Sequence, residues 1–283
     1  SGATVGSYRV AARRSTFEPV LSALQTVDTE GIPRDVTFYD VHARMDLRPS
    51  PSDELSLTLY GAHDALDLHL HDSRIQFDLG HENQGFTATW NHLFSSDLLA
   101  SVSLLGSRYR TDPVVVSGNQ RYREENEISE AGLDVTVRYT GLEAHTVKGG
   151  AEGSALRFVL RNDDSSQGRR SVMQITETTG GENPGRSPRR LRDGGWDRQR
   201  TGGTVTTYVQ DTYRPTRQWW VRGGLRGTYY QQGAYWRLSP QVSAAYRPTR
   251  SVRLQVAYSR NHQFRTVDRD TRLPGFDTWL MAD

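Results

Sequence analysis

Trp219-Trp220-Val221-Arg222-Gly223-Gly224-Leu225-Arg226-Gly227-Thr228-Tyr229-Tyr230 is the stretch on which the fold is decided. Successive side chains of an extended strand point to opposite sides. One parity here reads Trp219, Val221, Gly223, Leu225, Gly227, Tyr229; the other reads Trp220, Arg222, Gly224, Arg226, Thr228, Tyr230. The first is apolar and the second carries two arginines, so the run is a two-faced strand. Three further segments divide the same way. Val252, Leu254, Val256 and Tyr258 alternate with Ser251, Arg253, Gln255 and Ala257, and Leu133, Val135, Val137 and Tyr139 with Asp134, Thr136 and Arg138. Tyr39, Val41, Ala43, Met45 and Leu47 lie opposite Asp40, His42, Arg44 and Asp46.

Working outward, turn signals separate such runs. Arg48-Pro49-Ser50, Arg214-Pro215-Thr216 and Arg247-Pro248-Thr249 each sit between two of them, and proline suits the first corner of a tight turn but cannot donate to a ladder. Ser95-Ser96-Asp97 and Thr140-Gly141-Leu142 occupy equivalent places. Longer polar connections cover Asp67 to Asn83, Thr111 to Glu125 and Arg161 to Gly203, with a shorter Gln231-Gln232-Gly233 link. The strands predicted between them are 6–14, 36–47, 55–66, 84–94, 98–110, 128–139, 143–160, 204–213, 218–230, 235–246 and 251–262. Short and long connections alternate, which in an antiparallel meander puts every tight turn at one end and every long loop at the other. Outer-membrane barrels are laid out in that way.

Composition agrees. Of 283 residues 35% are hydrophobic and the mean hydropathy is −0.68, which excludes helical membrane spans but not a barrel, whose signal lies in alternation. Zero cysteines exclude a disulfide scaffold and Cys-ligated metal. A soluble sandwich also alternates, and aromatic position separates the two readings. Phe94, Tyr139, Tyr213, Trp219 and Tyr246 share the apolar parity and lie beside tight turns, forming an outward ring at one rim, as membrane–water boundaries favour. Arg44, Arg138, Arg222, Arg226 and Arg253 take the opposite, lumenal parity. On this reading Val221 and Val256 meet lipid and Thr228 points into the lumen.

A family resemblance follows from longer matches. Tyr208-Val209-Gln210-Asp211-Thr212-Tyr213-Arg214-Pro215-Thr216, followed by Gly224-Leu225-Arg226, resembles the recurring barrel hairpin of TonB-dependent outer-membrane receptors. Leu238-Ser239-Pro240 with Ala244-Ala245-Tyr246-Arg247-Pro248, and then Val256-Ala257-Tyr258-Ser259-Arg260, resemble the hairpin and strand after it. Ser7-Tyr8-Arg9-Val10-Ala11-Ala12-Arg13-Arg14-Ser15, Phe38-Tyr39-Asp40 and Tyr60-Gly61-Ala62-His63-Asp64 look like early strands of the same family. The resemblance implies a transmembrane barrel of about 22 strands around an N-terminal plug. It makes residues 1–283 an internal, all-β, antiparallel up-and-down fragment with about eleven of those strands. Neither the plug nor the energy-coupling box that precedes it in the family matches any part of this chain.

Motifs for chemistry are few. His69-Leu70-His71, with Asp67, Asp72 and His81 nearby, suggests shared metal ligation but supplies no ordered third and fourth ligand, and a solvated loop is the reading adopted. Glu124, Glu125 and Glu127 read as a hydrated charge run. No phosphate loop, nucleophile elbow or paired-His motif occurs, so neither an enzyme nor a bound cofactor is expected. The cluster Arg186, Arg189, Arg190, Arg192, Arg198 and Arg200 is interrupted by Asp193 and Asp197 and lacks a stacking platform, so no nucleic acid is expected.

The expected function is energy-coupled uptake across the outer membrane of a double-membraned bacterium, of an iron chelate, cobalamin or a glycan. The resemblance implies outer-membrane lipid, the plug, a TonB-type coupling protein and a small-molecule or glycan ligand as partners. A passive porin or structural barrel is the alternative, and a secreted β-sandwich or adhesin-like module a third. The segment 161–203 is expected as a long external loop, rich in glycine and charge and poor in apolar surface. Within it Arg189, Arg190 and Trp196 are the candidate ligand contacts.

Overall fold

The computed structural model describes residues 5–26, 33–70, 75–164, 189–190, 196–269 and 277–281. Its elements are β1 (Val5–Arg14), α1 (Glu18–Gln25), β2 (Pro33–Ser50), β3 (Asp53–Leu70), β4 (Ile75–Ser95), β5 (Leu98–Thr111), β6 (Val114–Ser117) and β7 (Gln120–Tyr139). There follow β8 (His145–Asp164), β9 (Arg189–Arg190), β10 (Trp196–Tyr213), β11 (Trp219–Tyr230), β12 (Tyr235–Tyr246), β13 (Leu254–Ser259), β14 (Arg265–Arg269) and β15 (Asp277–Met281). One sheet carries the meander β1-β2-β3-β4-β5-β7-β8-β10-β11-β12-β13, with β6 against β4 and β7 and β9 against β10. β14 and β15 pair separately. All eleven predicted runs are strands of this meander, in the predicted order.

Register confirms the parity. Trp219 pairs with Tyr246, Val221 with Ala244, Gly223 with Val242, Gly227 with Leu238 and Tyr229 with Trp236, so apolar positions meet across the ladder. Arg222 meets Ser243 and Arg226 meets Ser239 on the other face. Val102↔Val135, Leu104↔Leu133 and Met45↔Leu57 continue the apolar face along the sheet. Its large side chains stay exposed, Leu104 at 49% and Leu225 at 46%, which water would not tolerate over so wide a sheet and lipid requires.

Two aromatic rows bound this outward band. At the turn end Trp219 stacks on Tyr246, with centroids 4.3 Å apart, and Phe94, Tyr139 and Tyr213 are exposed on the same side. At the other end Tyr229 lies 5.4 Å from Trp236. Ten residues separate Trp219 from Tyr229. At about 3.4 Å per residue and a tilt near 40° that is about 26 Å, the height of a barrel's apolar belt.

Strand lengths differ from the sequence reading. β2, β3, β4, β7, β8 and β10 run 18 to 21 residues. Much of what alternation assigned to connections is therefore sheet. β3 and β4 take up 67–70 and 75–83, β5 to β7 most of 111–125, and β8 and β10 residues 161–164 and 196–203 of the expected 161–203 loop. Beyond the belt a strand no longer needs an apolar outward face, so the alternation that marks it disappears. At the other extreme β13 is shorter than the predicted 251–262. A helix was not expected: α1 starts with proline in its first turn, and Phe17 before it packs edge-on against Phe38 at 5.9 Å.

Below the belt, Asp53 ties the β2–β3 turn to β4. Ser50 Oγ donates to its Oδ2 at 2.6 Å, His92 Nδ1 lies 2.7 Å from its Oδ1, and Trp90 Nε1 donates to that atom at 2.9 Å. Hydrogen bonds from Ser50, His92 and Trp90 hold this turn carboxyl down to about 2. Its contribution to stability is full above the ordinary carboxylate range, near pH 4, and is lost as pH falls towards about 2. Asp53→Asn is expected to flatten the acid limb of unfolding between about pH 4 and pH 2, read by Trp fluorescence of the folded barrel.

Arginine at Leu104 or Leu225 is expected to cost about 2–4 kcal/mol and to impair membrane assembly. The opposite parity is best probed at Ser107, which is exposed and pairs with Glu130. Thr228 is less suitable, because it is buried with its hydroxyl 3.0 Å from that of Thr206. Heat-modifiable mobility of the full-length protein should drop for Leu104→Arg and Leu225→Arg and be retained for Ser107→Arg.

Candidate functional site

Above the belt the two faces of the wall exchange character. The outward parity turns charged. Arg108 meets Glu127 at 2.7 Å, Arg110 and Arg161 reach Glu125 at 3.4 and 3.5 Å, Arg161 reaches Asp197 at 3.3 Å, and Arg123 clasps Asp112 through Nε at 2.7 Å. Burial alone would raise the Glu127 carboxyl, but the hydrogen bond and charge of Arg108, with Ser129 and Arg157, hold it below its ordinary value. The hydrogen bond to Asp197 and the nearby carboxylates raise the Arg161 guanidinium, so both groups stay charged near neutrality.

The lumenal parity turns apolar at the same height. Ile128, Leu156 and Phe158 form a buried cluster on β7 and β8, Leu156 at 3% and Phe158 at 6% exposure, with Tyr109 of β5 packed against it. Ile128↔Phe158 and Tyr109↔Ile128 are direct cross-strand pairs. On β3 and β4 the same parity carries Leu66↔Leu79 and Leu68↔Phe77, all half-buried. His81 Nδ1 lies 3.2 Å from the Tyr109 hydroxyl at the border of this surface. A second group stands on β11 and β12. Tyr230 is fully buried, Phe264 stacks on it at 5.1 Å, Tyr235 lies 5.6 Å away, and the Arg237 guanidinium sits 4.1 Å over the Tyr235 ring. Ile128, Leu156, Phe158 and Tyr230 are covered within the chain, and the accessible groups of this wall are the half-buried rings of Tyr109 and Tyr235 and the exposed Arg237 guanidinium.

The candidate contacts read from the sequence lie close by in the backbone. Trp196 pairs with Arg190 and with Asn162, and Asp197 pairs with Arg189 and Arg161, so β9, β10 and β8 bring Arg189, Arg190 and Trp196 together at the loop end. Arg186, Arg192 and residues 171–188 of the expected loop lie outside the described residues. Tyr109, Ile128, Leu156, Phe158, Tyr230, Tyr235 and Phe264 were not identified as site residues. Their signal was present: along 143–160 the parity of Lys148 and Glu152 becomes that of Leu156 and Phe158.

The histidine group is not assembled. His69 lies 3.1 Å from Asp67 on the outward parity, His81 is on the lumenal one, and His71 and Asp72 lie outside the described residues. Among the described residues no group of three ligands is placed to hold a metal. The glutamate run divides between faces, Glu124 accepting from Tyr122 at 2.8 Å while Glu125 and Glu127 pair with outward arginines. Lower in the lumen, Arg226 pairs with Glu152 at 2.7 Å, and Arg222 and Arg253 lie over Trp220 at 5.5 and 5.8 Å.

This fold recurs in solved transporters and import receptors. The RagAB peptide transporter structure superposes with a TM-score of 0.54 at 10% identity over 88% of this chain and 36% of that one. BauA, the ferric preacinetobactin receptor from Acinetobacter baumannii, gives 0.52 at 12% identity over 88% and 44%. Fiu, the ferric-catecholate import receptor from E. coli K12, gives 0.52 at 9% identity over 82% and 41%. The chain thus spans about two fifths of the length of these proteins. No curated protein matches the sequence. The family model described as TonB dependent receptor-like, beta-barrel matches residues 18–277, and the chain belongs to that family of transport receptors.

Proposed function

We propose that this chain forms part of the barrel wall of an energy-coupled outer-membrane uptake receptor, and that it acts in transport without chemistry on the ligand. The observation that carries this reading is the exchange of faces above the belt. A wall whose outward side is charged and whose lumenal side is apolar and aromatic is built to receive something other than bulk water inside its mouth. A water-filled porin has the opposite requirement, a polar lumen throughout. The ligand is then a solute with both apolar surface and a polar or anionic group, received by the half-buried Tyr109 and Tyr235, the exposed Arg237 and, at the ends of β9 and β10, Arg189, Arg190 and Trp196. The solved relatives, named for ferric-chelate and peptide import, fit that chemistry. The plug and the TonB-type coupling protein are the partners this mechanism needs, and the end of the wall formed by Asp164 of β8 and Trp196 of β10 faces the exterior.

Uptake of ferric chelates, cobalamin, oligopeptides and glycans by cells with and without the full-length gene tests the reading. One class is expected to depend on both the gene and the energy-coupling protein. Uptake that persists without energy coupling would establish a passive channel instead. Tyr235→Ala is expected to weaken apparent affinity for that class by about tenfold, the loss of ~1.4 kcal/mol of stacking and cation–π contact, at unchanged protein level.

Topology has its own test, since this chain has no cysteine. Gln232→Cys, in the β11–β12 link, should react with a membrane-impermeant maleimide on intact cells. Thr216→Cys, in the β10–β11 turn, should react only after permeabilisation. The reverse pattern would invert the assignment of the two ends.

A further inference from the structure

Charge is unevenly distributed along the chain. Residues 212–267 contain ten arginines and neither aspartate nor glutamate, although the whole chain carries only +2, so the remainder is net acidic. This stretch holds β11, β12 and β13 with the tight turns that precede β11 and β13. Both turns carry the same tetrapeptide, Arg214-Pro215-Thr216-Arg217 and Arg247-Pro248-Thr249-Arg250, and all four arginines are exposed. The turns are neighbours. Arg247 N donates to Gln218 O at 2.8 Å, next to the stacked Trp219 and Tyr246. Thr216 Oγ1 accepts from the backbone N of Gln218 and of Trp219 at 3.3 and 3.2 Å, which fixes the first turn.

The basic surface continues from the turns onto the lumenal side, where the Arg222 and Arg253 guanidiniums lie over the Trp220 ring. Neighbouring carboxylates do not neutralise it. Asp211 is held by His145 at 2.6 Å and Glu152 by Arg226 at 2.7 Å. Among the described residues none of these six arginines makes an ion pair, nor does Glu143 of the adjacent β7–β8 turn.

Placement selects the occupant. A lipid leaflet meets every turn at this end alike, yet the β2–β3 turn holds Arg48 within 4.0 Å of Glu54, and the β4–β5 and β7–β8 turns carry Asp97 and Glu143. A domain filling the lumen meets Arg222 and Arg253 but not turns that lie beyond the last ladder pair of β11 and β12, Trp219↔Tyr246. A segment that crosses the rim from the solvent side meets both sets. Guanidinium forks match carboxylates, and an extended peptide repeats its same-face side chains about every 7 Å, while the two turns stand about 10 Å apart, two strand spacings.

We propose that the adjacent β10–β11 and β12–β13 turns, with Arg222 and Arg253 behind them, dock an acidic, extended segment of a soluble protein at the inner end of the barrel. The proposal rests on the outer-membrane reading above, which puts this end in the periplasm.

The test uses the full-length protein in phosphatidylcholine nanodiscs, with a fluorescein-labelled octaglutamate peptide as the probe and anisotropy as the readout. The wild type is expected to bind it, with an affinity that falls several-fold as salt rises from about 50 to about 200 mM. Arg217→Gln combined with Arg250→Gln should weaken binding roughly tenfold, and so should Arg222→Gln combined with Arg253→Gln. Arg48→Gln, in a turn outside this sector, should leave it unchanged, and heat-modifiable mobility shows that each variant is folded. Absence of binding by the wild type overturns the proposal. So does equal binding by the wild type and the Arg217/Arg250 variant, which would leave those turns to the lipid leaflet, or by the wild type and the Arg222/Arg253 variant, which would leave that pair to the lumen. None of these outcomes touches the outer-membrane reading. Recovery of the wild type in the soluble fraction without detergent overturns both.

Discussion

A backbone amide or carbonyl in hydrocarbon has no water to turn to, and nearly every feature of this chain follows from that constraint. Each strand must be paired on both sides across the depth of the membrane. The meander supplies this pairing with an unbroken register through most of its length, and side chains are left to solve a separate problem, one solvent on each face. β1 and β13 pair on one side only among the described residues. In lipid their open edges would cost several kcal/mol per unpaired group, so this sheet is stable there only when further strands complete it.

The same requirement acts differently above the belt. There the outward side is wet, and Arg108, Arg110, Arg123 and Arg161 compensate carboxylates in place of contacts with lipid. Exposed pairs of this kind contribute little each, on the order of 0–1 kcal/mol, so the height of the wall does not depend on them. The ladder continues because its backbone hydrogen bonds continue, and because Ile128, Leu156 and Phe158 gain a buried surface on the lumenal side. A strand of about twenty residues is thus two strands end to end, with opposite faces apolar.

This explains what was legible in the sequence. In 218–230 both the strand and its faces could be read, because lipid on one side and water on the other impose a strict period of two. The five tight turns were legible for the same reason, as places where that period stops and proline, serine or glycine takes over. The upper halves of β3 and β4 were not. In Leu66-Asp67-Leu68-His69 the alternation persists, but its apolar positions have moved to the parity that is polar lower down. With a single parity the strand ends at Leu66, and Asp67-Leu68-His69 falls to the connection.

The candidate site was missed by the same rule that found the fold. Leu156 and Phe158 sit on the parity of Lys148 and Glu152, which lower down faces a wet lumen, so their apolar character breaks the pattern. They are the informative residues, because in a barrel an apolar side chain pointing inward is not required by the membrane and needs another cause. Arg189, Arg190 and Trp196 are of residue types that suggest recognition, but in sequence they lie in a glycine-rich connection, which fixes no geometry. The structure joins the two sets through β8 and β10, whose register places Asn162 beside Trp196 and Phe158 beside Arg200. The depth at which the apolar lumenal surface begins is therefore set by where the parity reverses along β8, between Ser154 and Leu156, at the upper edge of the apolar belt on the opposite face.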